Sequence, residues 1–218
     1  MSEPSLISYE PIEGLSVQLA VGESLERIAL NKPVLDSGMP LMQALSRRQS
    51  TRQFADTPLT AQQLGELLWA ADGINRKASG GRTAPSPHAF NEIDIYAALP
   101  SAVYRYDAQA HCLILKRAVD ARNLTGYQDF VGRAPLDLVY VVNHGRLLGM
   151  PAQQRDIFSA TTAGAIAQNV YLYCASAGLA TVVRGWLNRR ILSEALSLNE
   201  DEIPILAQTV GVHEGTPL

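Results

Sequence analysis

Ser159–Gly185 reads SATTAGAIAQNVYLYCASAGLATVVRG, and more of the fold turns on this stretch than on any other. Ala160, Ala163, Gly164, Ala165 and Ala167 are interleaved with Ile166, Val170, Tyr171 and Tyr173, and nothing breaks the run before Gly178. Small residues let neighbouring helices approach closely, so the pattern predicts a helix from Ser159 to Ala177, buried on every side and ended by Gly178. Ala180-Thr181-Val182-Val183-Arg184 follows with β-branched character and predicts a strand running into Gly185.

Working outward, Arg189 to Leu196 reads as a short helix and Pro204 to Val212 as a last strand, with His213-Glu214-Gly215 trailing. Upstream, Leu136 to Val142 is an apolar, β-rich run suited to a central strand. Ile93 to Leu99 alternates like a strand, and Val103–Tyr106 with Cys112–Leu115 reads as a hairpin around Asp107–His111. Thr60 is a good N-cap for a helix over Ala61 to Ala71, where Leu64, Leu67 and Leu68 have helical spacing and Gly73 marks the end. Pro40 to Leu45 begins another helix, with proline in its first turn. Asn75 to Pro87, rich in Gly, Ser, Arg and Pro, is expected to be a long loop. Leu15 to Leu19 can pair as an edge strand within an N-terminal arm, residues 1–38. Residues 39–218 are then a single α+β domain with a mixed, mainly antiparallel central sheet flanked by helices.

The 218 residues are 47% hydrophobic and 18% charged, an ordinary globular balance for one domain. So few charges leave little to cover an isolated surface, which favours an oligomer. With a net charge of −3 and a pI near 5.8, the chain has no broad attraction for nucleic acid. Of the 18 basic residues only Lys32, Lys77 and Lys116 are lysine. Arginine's planar fork suits phosphate and carboxylate groups. Cys112 and Cys174, far apart and each beside apolar residues, read as buried thiols. No apolar run reaches the length of a membrane span, and Met1 to Ser5 carries no signal-peptide pattern, so a cytoplasmic location is expected.

Phosphate-loop, dinucleotide-loop, zinc-protease, CxxC and nucleophile-elbow motifs are missing, and the four histidines lack metal-ligand spacing, so no metal is expected. Three weaker signals remain. Arg47-Arg48-Gln49-Ser50-Thr51-Arg52 packs guanidinium groups, a hydroxyl and turn N–H groups into six residues, enough to enclose a phosphate. The bland alternative is a solvated basic helix end. Gly80 to Asn91, with Pro85 and Pro87, gives a rigid path that can lie against a planar ligand, or an ordinary surface loop. Val182-Val183-Arg184-Gly185-Trp186 is a strand ending in a glycine turn, where backbone N–H groups can approach a ligand.

The succession Arg48-x-Ser50-x-Arg52-x-Phe54, Ala84-Pro85-Ser86, Gly164-x-x-x-Gln168-Asn169 and Gly178-Leu179-Ala180-Thr181-Val182-Val183-x-Gly185 resembles the nitroreductase family in order and spacing, over roughly residues 39–213. Leu67–Asn75, Arg82–Ser86 and Val103–Asp107 are most similar to the branch of SagB-type dehydrogenases.

The resemblance implies a homodimer with two FMN molecules in the interface, with the arm of residues 1–38 wrapping the partner. It implies a phosphate site at Arg48, Gln49 and Ser50, with Arg47 in support, and Arg52 at the N1/O2 side of the flavin ring. A cation there stabilises the reduced, anionic flavin. Pro85, Ser86, His88 and Asn91 would contact the flavin of the other subunit, and the backbone of Val182, Arg184 and Gly185 would face the N5 edge. Where many relatives have a further basic residue after the last strand, this chain has Val212-His213-Glu214, so His213 is the candidate there. Azoline-oxidising members carry a Lys-Tyr pair before the long helix, whereas this chain has Gln154-Arg155-Asp156-Ile157-Phe158.

The implied activity is hydride transfer from NAD(P)H through flavin to a small planar acceptor, a nitroaromatic or quinone. No catalytic side chain is expected, because the flavin does the chemistry. The rival readings are a dehydrogenase of a modified peptide or small metabolite, and a non-catalytic flavin carrier.

Overall fold

The computed structural model describes residues 17–19 and 26–214. Its centre is an eight-stranded sheet built from β1 (Val17–Leu19), β2 (Glu26–Ala29), β5 (Ile93–Ala98), β6 (Val103–Asp107), β7 (Cys112–Arg117), β8 (Leu136–Asn143), β9 (Leu179–Arg184) and β10 (Glu202–Val212). The order across the sheet is β1-β2-β7-β6-β5-β8-β10-β9, and every pairing is antiparallel. Among the described residues four helices flank it: α1 (Leu41–Arg47), α2 (Ala61–Asp72), α3 (Ala152–Ala177) and α4 (Arg189–Leu196).

Alternation along the strands separates two cores. On β8, Leu138, Tyr140 and Val142 join the cluster of Leu64, Leu67 and Leu68 from α2 and Ile166, Val170 and Cys174 from α3. Val139 and Val141 point the other way and pack with Leu192, Ala195 and Leu196 of α4. Cys112 and Cys174 are both buried free thiols. Phe54 closes a third cluster with Phe130, Val131, Ala180 and Val182 at the β9 edge.

Thr60 caps α2 through a reciprocal pair of hydrogen bonds with Gln63, and Gly73 ends the helix. Gly178 ends α3 in the left-handed region at φ 69°. Two expectations need correction. First, α3 begins seven residues before Ser159 and is not buried on every side: Ala160, Thr161, Gly164 and Gln168 form an exposed stripe. Small residues gave the same pattern that a fully buried helix gives. Second, the stretch 75–87 is only partly loop, since β3 (Ile74–Arg76) and β4 (Gly81–Arg82) form a short hairpin, followed by a 3₁₀ turn at Pro87–Ala89.

Of the arm before residue 39, β1 and β2 extend the sheet beside β7; Leu15 and Ser16 of the expected edge strand lie outside the described residues. Among the described residues no helix is long and apolar enough to cross a membrane. Two irregularities lie inside the sheet: β6 shifts register against β7 between Val103 and Tyr104, and β10 against β8 between Pro204 and Leu206.

Candidate active site

The arginine-rich segment leaves α1 at Arg48, whose φ of −57° and ψ of 120° turn the chain out of the helix. It then lies along β9 and the end of β10. The N–H of Thr51 donates to the carbonyl of Thr181 (2.9 Å), that of Ala55 to the carbonyl of Val212 (3.0 Å), and Phe54 bridges His213. Phe54 also lies over Gly211, where an added Cβ would stand 3.1 Å from its ring.

Tyr171 of α3 gathers this segment. Its hydroxyl is 2.8 Å from Ser50 Oγ and accepts from the N–H of Val183 at 3.0 Å, while the Arg48 guanidinium sits 5.2 Å from the centre of its ring. Arg47, Gln49, Thr51, Tyr171, Ser176 and His213 line a cleft of about 140 Å³ at the same place. Arg47, Arg48 and Arg52 have no ion-pair partner among the described residues, and Arg52 is exposed. Three guanidinium groups without a carboxylate beside them, together with a serine hydroxyl, make a donor set that fits a phosphate.

At the end of β9, Val182 is buried and the Val183 N–H is taken by Tyr171. The Arg184 side chain turns away into the interior. It donates to Asp137 Oδ1 (2.6 Å), Thr125 O (2.5 Å), Thr125 Oγ1 (3.0 Å) and Thr209 Oγ1 (2.9 Å). Burial pushes the Asp137 carboxyl up, with Arg184 pulling it back, and burial pushes the Arg184 guanidinium down. Direct contact and the large gap in basicity keep the pair charged. Arg184 therefore offers only its backbone to a ligand. Beside Gly185, Trp186 (77% exposed) and Tyr127 (61% exposed) form an edge-on ring pair with centroids 6.1 Å apart.

Pro85, Ser86, His88 and Asn91 lie elsewhere, on the loop before β5. No hydrogen bond, ion pair or ring contact among the described residues joins them to the arginine segment or to the end of β9. In the sheet β8 and β10 stand between β5 and β9, a separation of about 14 Å. The loop is tightly held. Ser86 Oγ donates to Glu92 Oε2 (2.6 Å) and accepts from the N–H of Asn91 (2.9 Å), and Arg146 donates to the Asn91 carbonyl (2.6 Å) and to Asp94 (2.8 Å). His88, Ala89 and Asn91 all take left-handed backbone, at φ 50°, 56° and 48°. Glu92 is fully buried, so the hydroxyl of Ser86 is turned inward.

Two contributors escape a reading of the sequence alone. Tyr171 looks there like any core aromatic of a small-residue helix, and only the fold reveals where its hydroxyl reaches. Glu92 looks like a loop acid, and its spacing from Ser86 gives no signal of their bond. Among the described residues no group of three or more His, Cys, Asp or Glu could hold a metal ion.

The sequence profile of the Nitroreductase family matches residues 45–212. A provisionally named nitroreductase of Methanocaldococcus jannaschii is 29% identical over 185 residues, which is 78% of this chain and 90% of that protein. The crystal structure of a provisionally named nitroreductase of Ralstonia eutropha JMP134 is 60% identical, with a TM-score of 0.85 over 96% of this chain and all of that one. The NADPH:FMN oxidoreductase of Vibrio harveyi, solved with NAD⁺, shares the fold at 20% identity, with a TM-score of 0.60 over 81% of this chain and 70% of that one.

Proposed function

This chain belongs to the nitroreductase family and is an oxidoreductase, and from that premise we propose an FMN-dependent homodimer that passes electrons from NAD(P)H to a small flat acceptor, a nitroaromatic or quinone. The observation that carries this reading is the set of three arginines between positions 47 and 52, without carboxylate partners among the described residues and tied by Tyr171 to the strand that ends at Arg184.

In this reading Arg48 and Ser50, both against Tyr171, grip the phosphate, and Arg47, Gln49 and His213, which line the cleft beside that tyrosine, stand in support. Arg52 supplies positive charge at the N1/O2 side of the ring, and the backbone of Val182, Arg184 and Gly185 lies along the N5 edge. FMN, when bound, supplies a ring that takes up a hydride reversibly, which no side chain in this site can do. The protein's part is to bind, orient and tune.

Two features support the dimer. Pro85, Ser86, His88 and Asn91 stand apart from the arginine segment, as they would if they served the partner's flavin. Leu41 (62%) and Met42 (75%) are exposed on α1, and Ile157 (67%) is exposed on α3, the helix that carries the small-residue stripe. That apolar surface suits a subunit interface.

The test is purification followed by an absorption spectrum and a mass measurement in solution. Bands at about 370 and 450 nm, with the mass of two chains, are expected. Colourless monomer that takes up no added FMN would sink the proposal.

A further inference from the structure

The ladder between β5 and β6 stops short. Tyr96, Ala97 and Ala98 pair with Arg105, Tyr104 and Val103, whereas Ile93, Asp94 and Ile95 pair only with β8, on their other side. Carried on, the register would set Asp94 directly opposite Asp107, and like charges across a strand pair repel. The strands part instead, and a cleft of about 200 Å³ opens in the fork. That is below the roughly 300 Å³ at which drug-sized sites begin, so only a small molecule fits. Arg82, Arg105 and Arg146 line it together with Asp72, Asp94 and Asp107.

These six charges do not cancel in pairs. Asp72 takes Arg82, and both oxygens of Asp94 accept from Arg146 Nη2, at 3.0 and 2.8 Å. Asp107 Oδ1 is occupied by the N–H groups of Gln109 and Ala110, at 2.9 and 3.1 Å. Arg105 is left over. Its guanidinium makes no hydrogen bond among the described residues. Its one ion pair there is 3.7 Å long, to an Asp94 oxygen that Arg146 already holds. The side chain is 33% exposed, so its planar fork of donors is open to a ligand. Burial also pushes the Asp72 carboxyl up to about 7, which withdraws part of its charge at neutral pH and leaves Arg82 incompletely balanced. Glu92, the further carboxylate nearby, is fully buried and holds Ser86.

We propose that this fork is a binding site for a small aliphatic carboxylate, whose two oxygens lie side by side on the Arg105 guanidinium. Arginine and carboxylate match in plane and spacing, with two parallel N–H···O bonds. Phe90, Ile93 and Ala108 give the cleft an apolar side, which a short carbon chain covers and an inorganic anion does not. The site is built within a single chain, and binding there does not depend on the flavin reading.

The experiment is saturation-transfer NMR titration of the full-length protein, with whatever flavin it carries, following its absorption spectrum at the same time. Butyrate is expected to bind, and butyramide and inorganic phosphate to bind at least about tenfold more weakly. Arg105→Gln should weaken butyrate about tenfold or more, through loss of a charge-assisted pair. Gln109→Glu places a like charge at the exposed rim without touching the fold, and should weaken butyrate about threefold. Any flavin bands should stay where they are. No butyrate signal from wild type, equal affinity in wild type and Arg105→Gln, or equal binding of butyramide or phosphate overturns the proposal. So does a flavin spectrum that shifts in step with binding, because the acid would then lie on the cofactor. If Arg105→Gln fails to fold, unchanged butyrate affinity in Gln109→Glu overturns it instead. Protein that never takes up FMN removes the flavin reading alone, and the same titration still decides whether the fork binds an acid.

Discussion

The hydroxyls of Ser50 and Tyr171 lie 2.8 Å apart although 121 residues separate them in the chain. The same tyrosine oxygen holds the N–H of Val183. One phenol thus ties an arginine-rich turn to the last residues of a strand, and the spacing between the phosphate end and the N5 end of the proposed flavin seat depends on it.

Tyr171→Phe isolates that tie. The ring stays beneath Arg48, while Ser50 and the Val183 N–H lose a partner. FMN is expected to bind three- to tenfold more weakly, with a loss of about 1 kcal/mol in stability. Fluorescence titration with FMN and urea unfolding measure the two effects. Equal FMN affinity in wild type and variant would mean that the tie plays no part in binding.

Arg52→Ala should separate function from fold. The side chain is exposed and has no partner among the described residues, so stability should change by less than about 0.5 kcal/mol. The flavin potential should fall and reduction by NAD(P)H should slow, because a cation near N1/O2 favours reduced flavin. Redox titration and stopped-flow reduction give the answer, and an unmoved potential removes Arg52 from its assigned place.

The Arg184–Asp137 pair should behave as a structural keystone. Asp137 is fully buried, and removing it leaves a buried guanidinium with its charge uncompensated. Asp137→Ala is expected to cost about 3–5 kcal/mol. Gly126→Ala should also destabilise, because its Cβ would run into Arg184 Nη1. Denaturant melts of the two variants check this, and a Gly126→Ala protein as stable as wild type would contradict the packing described.

Asp72 gives a pH signature. Burial pushes its carboxyl up to about 7, against the pull of its Arg82 partner. With the folded pKa above the unfolded value of 3.8, the native state binds the extra proton between those two values. Stability from this group is therefore greatest near pH 4, declines as pH rises, and is gone above pH 7. Thermal melts from pH 5 to 8 should show a falling midpoint, with a shallower fall in Asp72→Asn. Equal slopes would show that the carboxyl is ionised throughout.

Much of the architecture could be read from local chemistry. The Thr60 cap with Gln63, the apolar spacing of α2, the glycine after α3 and the alternation in β5–β8 are signals carried by near neighbours. The start of α3 was hidden because Gln153, Gln154 and Asp156 face solvent and break the apolar spacing. The hairpin of β3 and β4 was hidden by its Gly- and Arg-rich composition. Within the candidate site, the residue types of the arginine segment suit an anion. Contacts such as Tyr171 with Val183, and the register shift of β10, depend on partners far along the chain. No local pattern encodes them.

The three left-handed residues at 88, 89 and 91 bear on how this protein can be re-engineered. Each has a side chain where the backbone would be easier for glycine, so the curve from Ser86 to Glu92 is imposed by its anchors and not by its own preferences. A library randomised across this curve would first be sorted by which residues tolerate the bend, with β-branched types discarded early. Diversity sought here is best introduced with Ser86, Glu92 and Arg146 left untouched.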